Sequence, residues 1–357
     1  MTSRNPYLIS LAQKPFDLLN CLEYLHHEGK GASDALVLLV GNHVNVRATE
    51  ELCARHGLAY ERLPEPDLYF AAVQRLIAKR VVSGLPLMLV KCLLLAPAYL
   101  WWLVMYVFAK LRLRNLRCEV LILDAWRSKC LYATAIHARR HVLTDGGYAT
   151  LHYGLCQAFT AGGARALVRK SLAGQRPLLP GLIRYRFARE IDESSPFFTC
   201  YFDRLQGVPN VFANDYRMSR RWVTRKEVGD FVMVMGIPAL KHIDDYLAAA
   251  STALSADPKG GSEGRPSGAP VQCPPVHYRF HPTDRNRAAM DVGYKSLIEE
   301  GVTKRGVDWS YPQYSLEFDF LTLDKLPRAI VSYESSSAMW LQQVFGEVIK
   351  VSVLPLR

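Results

Sequence analysis

Short runs that are apolar almost throughout alternate along this chain with longer stretches in which apolar residues recur every three or four positions. Tyr7–Leu11, Ala35–Gly41, a short run near Ala59–Leu63, Val120–Asp124 and Arg140–Leu143 read as strands. Phe16, Leu19, Leu22 and Leu25 mark one helical stripe, and a second helix is expected around Arg47–His56. A strand with no polar alternate positions has to be covered on both faces, so this pattern implies a parallel sheet flanked by helices, an α/β fold. The alternation returns at Asp230–Met235 and Val276–Phe280, with helices expected over Ile243–Leu254 and Arg287–Glu300. A strand at Ala329–Glu334, a helix opened by Ser335–Ser337 and a last strand at Val348–Val353 complete it. No internal repeat is visible. Ligands of open parallel sheets bind beyond the carboxyl ends of the strands, so the polar residues that follow these runs are the first candidates for chemistry.

Two stretches interrupt the alternation. Residues 92–109 carry no charge, and eighteen such residues approach the roughly 20 that span a bilayer. Lys79 and Arg80 precede the segment, and Lys110, Arg112, Arg114 and Arg117 follow it. A crossing normally leaves the cations on one side and would strand the two halves of the chain on opposite faces. A monotopic insertion, an aromatic-rich helix or helical hairpin in the cytoplasmic leaflet, fits better; a helix buried in the core is the other reading. Residues 162–228 are basic and irregular, a solvated connection or a surface for an anionic acceptor or lipid. Three regions result: 1–160, with the apolar segment at about 86–110; 161–228; and 229–357, with a Gly/Pro/Ser-rich flexible loop at 255–270.

Composition narrows the class. A chain of 357 residues, half of them hydrophobic, has material for two ordinary domains. The net charge of +11 suggests an acidic partner such as nucleic acid, anionic headgroups or an acidic glycan. Eight cysteines are scattered without Cys-x-x-Cys or Cys/His ligand spacing, so reduced thiols and no metal site are expected. Met1–Pro6 leads into a strand without the apolar stretch of a signal peptide, and secretion is not expected.

Three polar motifs then stand out, each just after a strand: Thr144-Asp145-Gly146-Gly147, His281-Pro282 and Ser335-Ser336-Ser337. A carboxylate at a strand end can act as a base, a histidine can meet a phosphate, and a serine run opening a helix offers hydroxyls and free backbone N–H groups. Alone, each is ordinary: Asp-Gly marks turns and serine caps helices. In this order they resemble the signatures of the bacterial sialyltransferases and polysialyltransferases, an acidic pair before Gly, then His-Pro, then a Ser pair.

The resemblance implies a GT-B fold, two Rossmann-like domains facing a central cleft, with a membrane-associated helical insertion in the N-terminal one. Residues 1–160 would be the acceptor domain and 229–357 the domain that binds a CMP-linked donor. It implies an inverting transfer of sialic acid or a related keto sugar to a cell-surface glycan or glycolipid at the cytoplasmic face of the inner membrane. Asp145 would take the proton from the acceptor hydroxyl, and His281 would hold or protonate the departing phosphate. Ser335 and Ser336 would bind that phosphate, Arg279 the nucleotide and Glu317 the ribose hydroxyls; Gly236-Ile237-Pro238 resembles the strand end that opens the donor domain. Thr144, Gly146, Pro282 and Ser337 complete the motifs. A CMP-linked sugar carries a good leaving group, so no metal or other cofactor is expected.

One departure is chemical: Thr144 occupies the first acidic position. Asp145 then carries the base role alone, or the chain is a catalytically inactive membrane-associated relative. A transferase using another nucleotide sugar would share the sheets. A nucleic-acid binder is disfavoured because no reader motif accompanies the charge. A serine hydrolase is disfavoured because no glycines flank the serine run.

Overall fold

The computed structural model describes residues 5–41, 44–65, 87–124, 129–145, 195–200, 202–205, 210–237, 240, 243–255, 275–314, 316–333 and 335–354. The chain divides into two compact units, Met1–Asn214 and Asp215–Arg357.

The first unit is built on seven strands: β1 (Leu8–Ala12), β2 (Ala35–Val40), β3 (Ala59–Leu63), β4 (Arg117–Asp124), β5 (His137–Thr144), β6 (Phe197–Thr199) and β7 (Val211–Ala213). They lie in the order β3-β2-β1-β4-β5-β6-β7, every pair parallel. Strand order reverses between β1 and β4, which makes the unit doubly wound. Helices α1 (Pro15–His27), α2 (Val44–Arg55), α3 (Leu87–Leu113) and α4 (Lys129–Ala133) accompany the sheet. β1 is buried along its whole length, as its unbroken apolar run requires. Ile9, Leu11, Leu38, Val40, Leu121 and Leu123 pack in one core with Trp102, Met105, Ala109 and Leu113 of α3.

The apolar segment is thus a single helix of 27 residues that runs through Pro97, not a hairpin, and one of its faces belongs to the core. Among the described residues no helix is long and apolar enough to cross a membrane. β6 and β7 add two strands to this sheet from a region that the sequence pattern assigns to a connection. Three residues are too few to reveal a period, so neither strand announces itself. Further along the same connection Phe202–Leu205 and Arg217–Val223 are helical; residues 162–194, 201 and 206–209, and all of the Gly/Pro/Ser-rich loop except its first residue, lie outside the described residues.

The second unit contains β8 (Glu227–Val228), β9 (Val232–Met235), β10 (Val276–Arg279), β11 (Asp308–Ser310), β12 (Lys325–Leu326), β13 (Ala329–Tyr333) and β14 (Lys350–Leu354). Five of them form a parallel sheet in the order β11-β10-β9-β13-β14, and β8 pairs with β12. The helices are α5 (Arg217–Val223), α6 (Ile243–Ser255), α7 (Pro282–Ala288), α8 (Val292–Thr303), α9 (Leu316–Thr322) and α10 (Ser336–Phe345). Val232, Val234, Tyr278, Phe280 and Val331 pack with Ile243, Tyr246, Ile298 and Val302. Phe280 stacks on Tyr311 at 4.7 Å and meets Tyr278 and Trp309 edge-on, each at 5.4 Å.

The helix expected over Arg287–Glu300 is divided. Asp291 caps a new start, its carboxylate accepting a hydrogen bond from the Tyr294 N–H at 3.0 Å. An aspartate that satisfies a free N–H of the first turn breaks a helical stripe that periodicity alone would have continued. β9 stands in the middle of this sheet, with β10 on one side and β13 on the other, and the chain reverses direction across it.

Candidate functional site

The carboxyl ends of β9, β10 and β13 bring the second unit's motif residues to one edge. Gly236 follows β9, and its N–H donates to the Arg279 carbonyl at 2.8 Å. A Cβ at this position would overlap the Tyr278 hydroxyl, so only glycine fits above that ring. His281 follows β10, half-buried, with its ring 6.3 Å from that of Tyr333 at the end of β13. Burial lowers the His281 pKa, with Asp284 pulling the other way, so its imidazole is neutral at pH 7. Burial pushes Tyr333 up to about 12, which keeps its hydroxyl a hydrogen-bond donor.

Ser335 caps α10 by accepting from the Ala338 N–H at 3.1 Å. The N–H groups of a first helical turn have no intrahelical partner, and they are suited to a phosphate. Ser336 opens the helix. Ser337 turns instead to Glu317, donating to its Oε1 at 2.7 Å. The cap thus couples the serine run to the carboxylate at the start of α9. Pro282 begins α7, where its missing N–H costs nothing.

Arg279 is placed otherwise than a free nucleotide ligand would be. Its guanidinium pairs with Asp319 and donates to Ser310 Oγ at 2.8 Å. Asp319 also accepts the Gln313 and Tyr314 N–H groups, at 3.0 and 2.9 Å. Arg279 therefore ties β10 to β11 and α9.

In the first unit, Asp145 follows β5 and is enclosed. Oδ1 accepts from the Thr199 hydroxyl at 2.6 Å, and Oδ2 accepts from the Cys200 N–H at 2.8 Å. Its carbonyl accepts from Asn20 Nδ2 at 3.3 Å. Burial raises the carboxyl to about 6, against the lowering effect of those bonds. In this geometry Asp145 fastens the end of β5 to β6. Thr144 is buried, and Gly146 lies outside the described residues.

A second charged group at this edge was not among the sequence candidates. Lys129, only 1% exposed, reaches Asp17 Oδ2 at 2.7 Å and Asp124 Oδ1 at 2.5 Å. Lys14 Nζ lies 3.6 Å from Asp124 Oδ2. Asp17 also accepts the N–H of Gln13 at 2.8 Å, and the Gln13 side chain donates to Glu65 at 2.9 Å. Burial and the neighbouring Asp124 raise the Asp17 pKa. Burial would raise Asp124 too, but the Lys129 and Lys14 ammoniums outweigh it and hold the group low. Burial works against the Lys129 charge, and the two carboxylates more than restore it.

This cluster occupies the ends of β1 and β4, where the strand order reverses. Asp124 is in register with Thr144 on the adjacent strand, so a carboxylate stands beside the position where the acidic motif has threonine. The available signal was that Asp124 closes an apolar run. Among the described residues no group of His, Cys, Asp and Glu is placed to hold a metal ion.

No family model matches the chain, and no curated protein matches it. Among solved structures, a UDP-N-acetylglucosamine 2-epimerase from Rickettsia bellii is similar over 98% of this chain and 78% of its own, at 10% identity and a TM-score of 0.44. MurG of Acinetobacter baumannii is similar over 98% of this chain and 86% of its own, at 8% identity and a TM-score of 0.39. A UDP-glucosyltransferase from Polygonum tinctorium is similar over 100% of this chain and 81% of its own, at 11% identity and a TM-score of 0.42. These scores are below 0.5, and the two parallel α/β sheets stand on their own strand order and register.

Proposed function

We propose that the protein is a glycosyltransferase that takes its sugar from a nucleotide-linked donor held at the carboxyl edge of the second unit's sheet. The observation that carries this reading is the convergence there of Gly236, His281, Tyr333, the α10 serines and Glu317. Close backbone approach, a neutral imidazole, hydroxyl donors, free N–H groups and a carboxylate together match a sugar phosphate with an attached ribose.

The motif order favours a CMP-linked keto sugar such as sialic acid. An acceptor hydroxyl would attack the anomeric carbon, the new C–O bond forming as the bond to the CMP phosphate breaks. His281 and the first turn of α10 would meet the charge on the departing phosphate. The resemblance nominates Asp145 to receive the acceptor proton. A pKa near 6 suits a base, but its bonds to Thr199 and Cys200 have to part first. A glycan or glycolipid built at the cytoplasmic face of the inner membrane is the acceptor this reading implies. A second reading, a UDP- or GDP-linked donor at the same edge, is favoured by Arg279, whose engagement with Asp319 removes the contact that the resemblance gives to CMP.

The test is nucleotide release by the full-length chain from CMP-sialic acid, CMP-Kdo, UDP-sugars and GDP-sugars. CMP release that falls at least about 100-fold in His281→Ala supports the first reading. Release confined to UDP- or GDP-sugars establishes the second. A protein that neither binds nor turns over any of them is not this transferase.

A further inference from the structure

α3 has two apolar faces, and among the described residues only one of them is packed into the core. Trp102, Met105, Ala109 and Leu113, spaced by three and four residues, are buried in the first unit's core. Leu100, Leu103, Val104, Val107 and Leu111 repeat that spacing on another side, each between 47% and 64% exposed. Single exposed leucines are ordinary, but five branched aliphatic side chains in one helical stripe form a surface with something to cover.

The charge around this ridge narrows what covers it. From the start of α3 to residue 118 the chain has five Lys and Arg and no Asp or Glu. Arg112, paired with Glu61, and Arg114 are exposed at the carboxyl end of α3, and Arg117 is exposed at the start of β4. The Lys110 ammonium lies 5.8 Å from the Tyr106 ring and the Arg112 guanidinium 5.4 Å from the Phe108 ring, both rings half-buried against the core. A second copy of the chain laid on this ridge would bring no carboxylate of its own α3 to meet these cations. A layer that is apolar inside and anionic at its surface satisfies both features at once.

We propose that the outer face of α3 docks this protein on an anionic lipid bilayer, with the helix lying in the plane of the surface. Its inner face is held by the sheet, so the helix enters only to the depth of the ridge side chains. Arg114 and Arg117 meet lipid phosphates, and Trp101, half-buried beside the ridge, lies near headgroup level. The surface is independent of donor chemistry, and its failure would leave the transferase reading untouched.

The experiment is flotation of the full-length protein with phosphatidylcholine vesicles, with and without phosphatidylglycerol, together with sedimentation velocity of the protein alone. The expected result is a monomer that floats with the anionic vesicles and is released by salt. Leu103→Asp with Val107→Asp should lower the bound fraction at least tenfold without moving the thermal midpoint. If that variant does not fold, tryptophan quenching by brominated lipids in the wild-type protein decides instead, and quenching is expected. A wild-type protein that ignores anionic vesicles overturns the proposal: as a monomer, its own chain covers the ridge, and as a dimer, a second copy does.

Discussion

The carboxyl edges of the two sheets are built from opposite materials. In the first unit, Asp124 at the end of β4, Asp17 in α1 and Lys129 at the start of α4 are ionisable groups almost out of water and bound to one another. In the second, β9, β10 and β13 end in glycine, a neutral imidazole, a protonated tyrosine and a serine-capped helix. Charges so buried have lost their hydration and repay it only while every partner is present. Apart from the Arg279–Asp319 pair, the groups at the second unit's edge bear no such constraint. One doubly wound architecture thus carries a lock at one switch point and a candidate binding surface at the other.

The largest effect should come from opening the lock. Lys129→Met leaves Asp17 and Asp124 with only the partly exposed Lys14 as counter-charge and should cost up to about 3–5 kcal/mol in urea unfolding. A loss below about 1 kcal/mol would show the cluster to be hydrated. Removing the charge makes acid effects diagnostic as well. The depressed Asp124 contributes stability above its ordinary value near 3.8 that is lost as pH falls through its lower folded value. In Lys129→Met this acid sensitivity should diminish.

Gly236→Ala should cost about 1–3 kcal/mol, because the new methyl meets the Tyr278 ring and hydroxyl. Among the described residues that buried hydroxyl has no hydrogen-bond partner. Tyr278→Phe should therefore be tolerated alone and relieve part of the Gly236→Ala loss; no relief would mean that the ring, not the oxygen, sets the limit.

Asp145→Asn should cost about 1–3 kcal/mol, since an amide cannot accept both hydrogen bonds that the carboxylate holds. The folded Asp145 binds its proton up to about pH 6, well above the ordinary 3.8. Its contribution is therefore greatest at low pH and declines as pH rises through 6. Thermal melts between pH 4 and 7 should show the wild-type advantage over Asp145→Asn shrinking as pH rises. A growing advantage would mean that the hydrogen bonds to the ionised carboxylate outweigh its burial and hold the folded pKa below the ordinary value.

The smallest change is Ser335→Ala, which removes the α10 cap and should cost about 1 kcal/mol in the same unfolding assay. Its effect on nucleotide affinity should be the larger one, and the reverse would reduce the serine run to a cap.

Long apolar runs were enough to read the sheets: β1, β2, β4, β9 and β13 all fall where unbroken Leu, Ile and Val stretches place them. β6 and β7 escaped because three residues carry no period; α7 was not expected, and the helix expected from Arg287 starts only at Val292 because Asp291 caps it there. The motif residues of the second unit could be found because each directly follows a strand, and the topology then brings them to one edge. Arg279 stands where the motif predicts, yet its partner Asp319 lies forty residues away, and pairing over that distance leaves no local mark. Lys129 was invisible for the same reason: its carboxylates are contributed by α1 and β4, and only the fold brings them together.

Hydrogen–deuterium exchange of the full-length protein with and without CMP, UDP and GDP tests the contrast between the two edges most directly. The account predicts that one nucleotide slows exchange at Gly236, His281 and Ser335–Ala338 while the amides of Gln13 and Lys14 stay as they were. Protection at Gln13 and Lys14 instead, or no protection by any nucleotide, would contradict it.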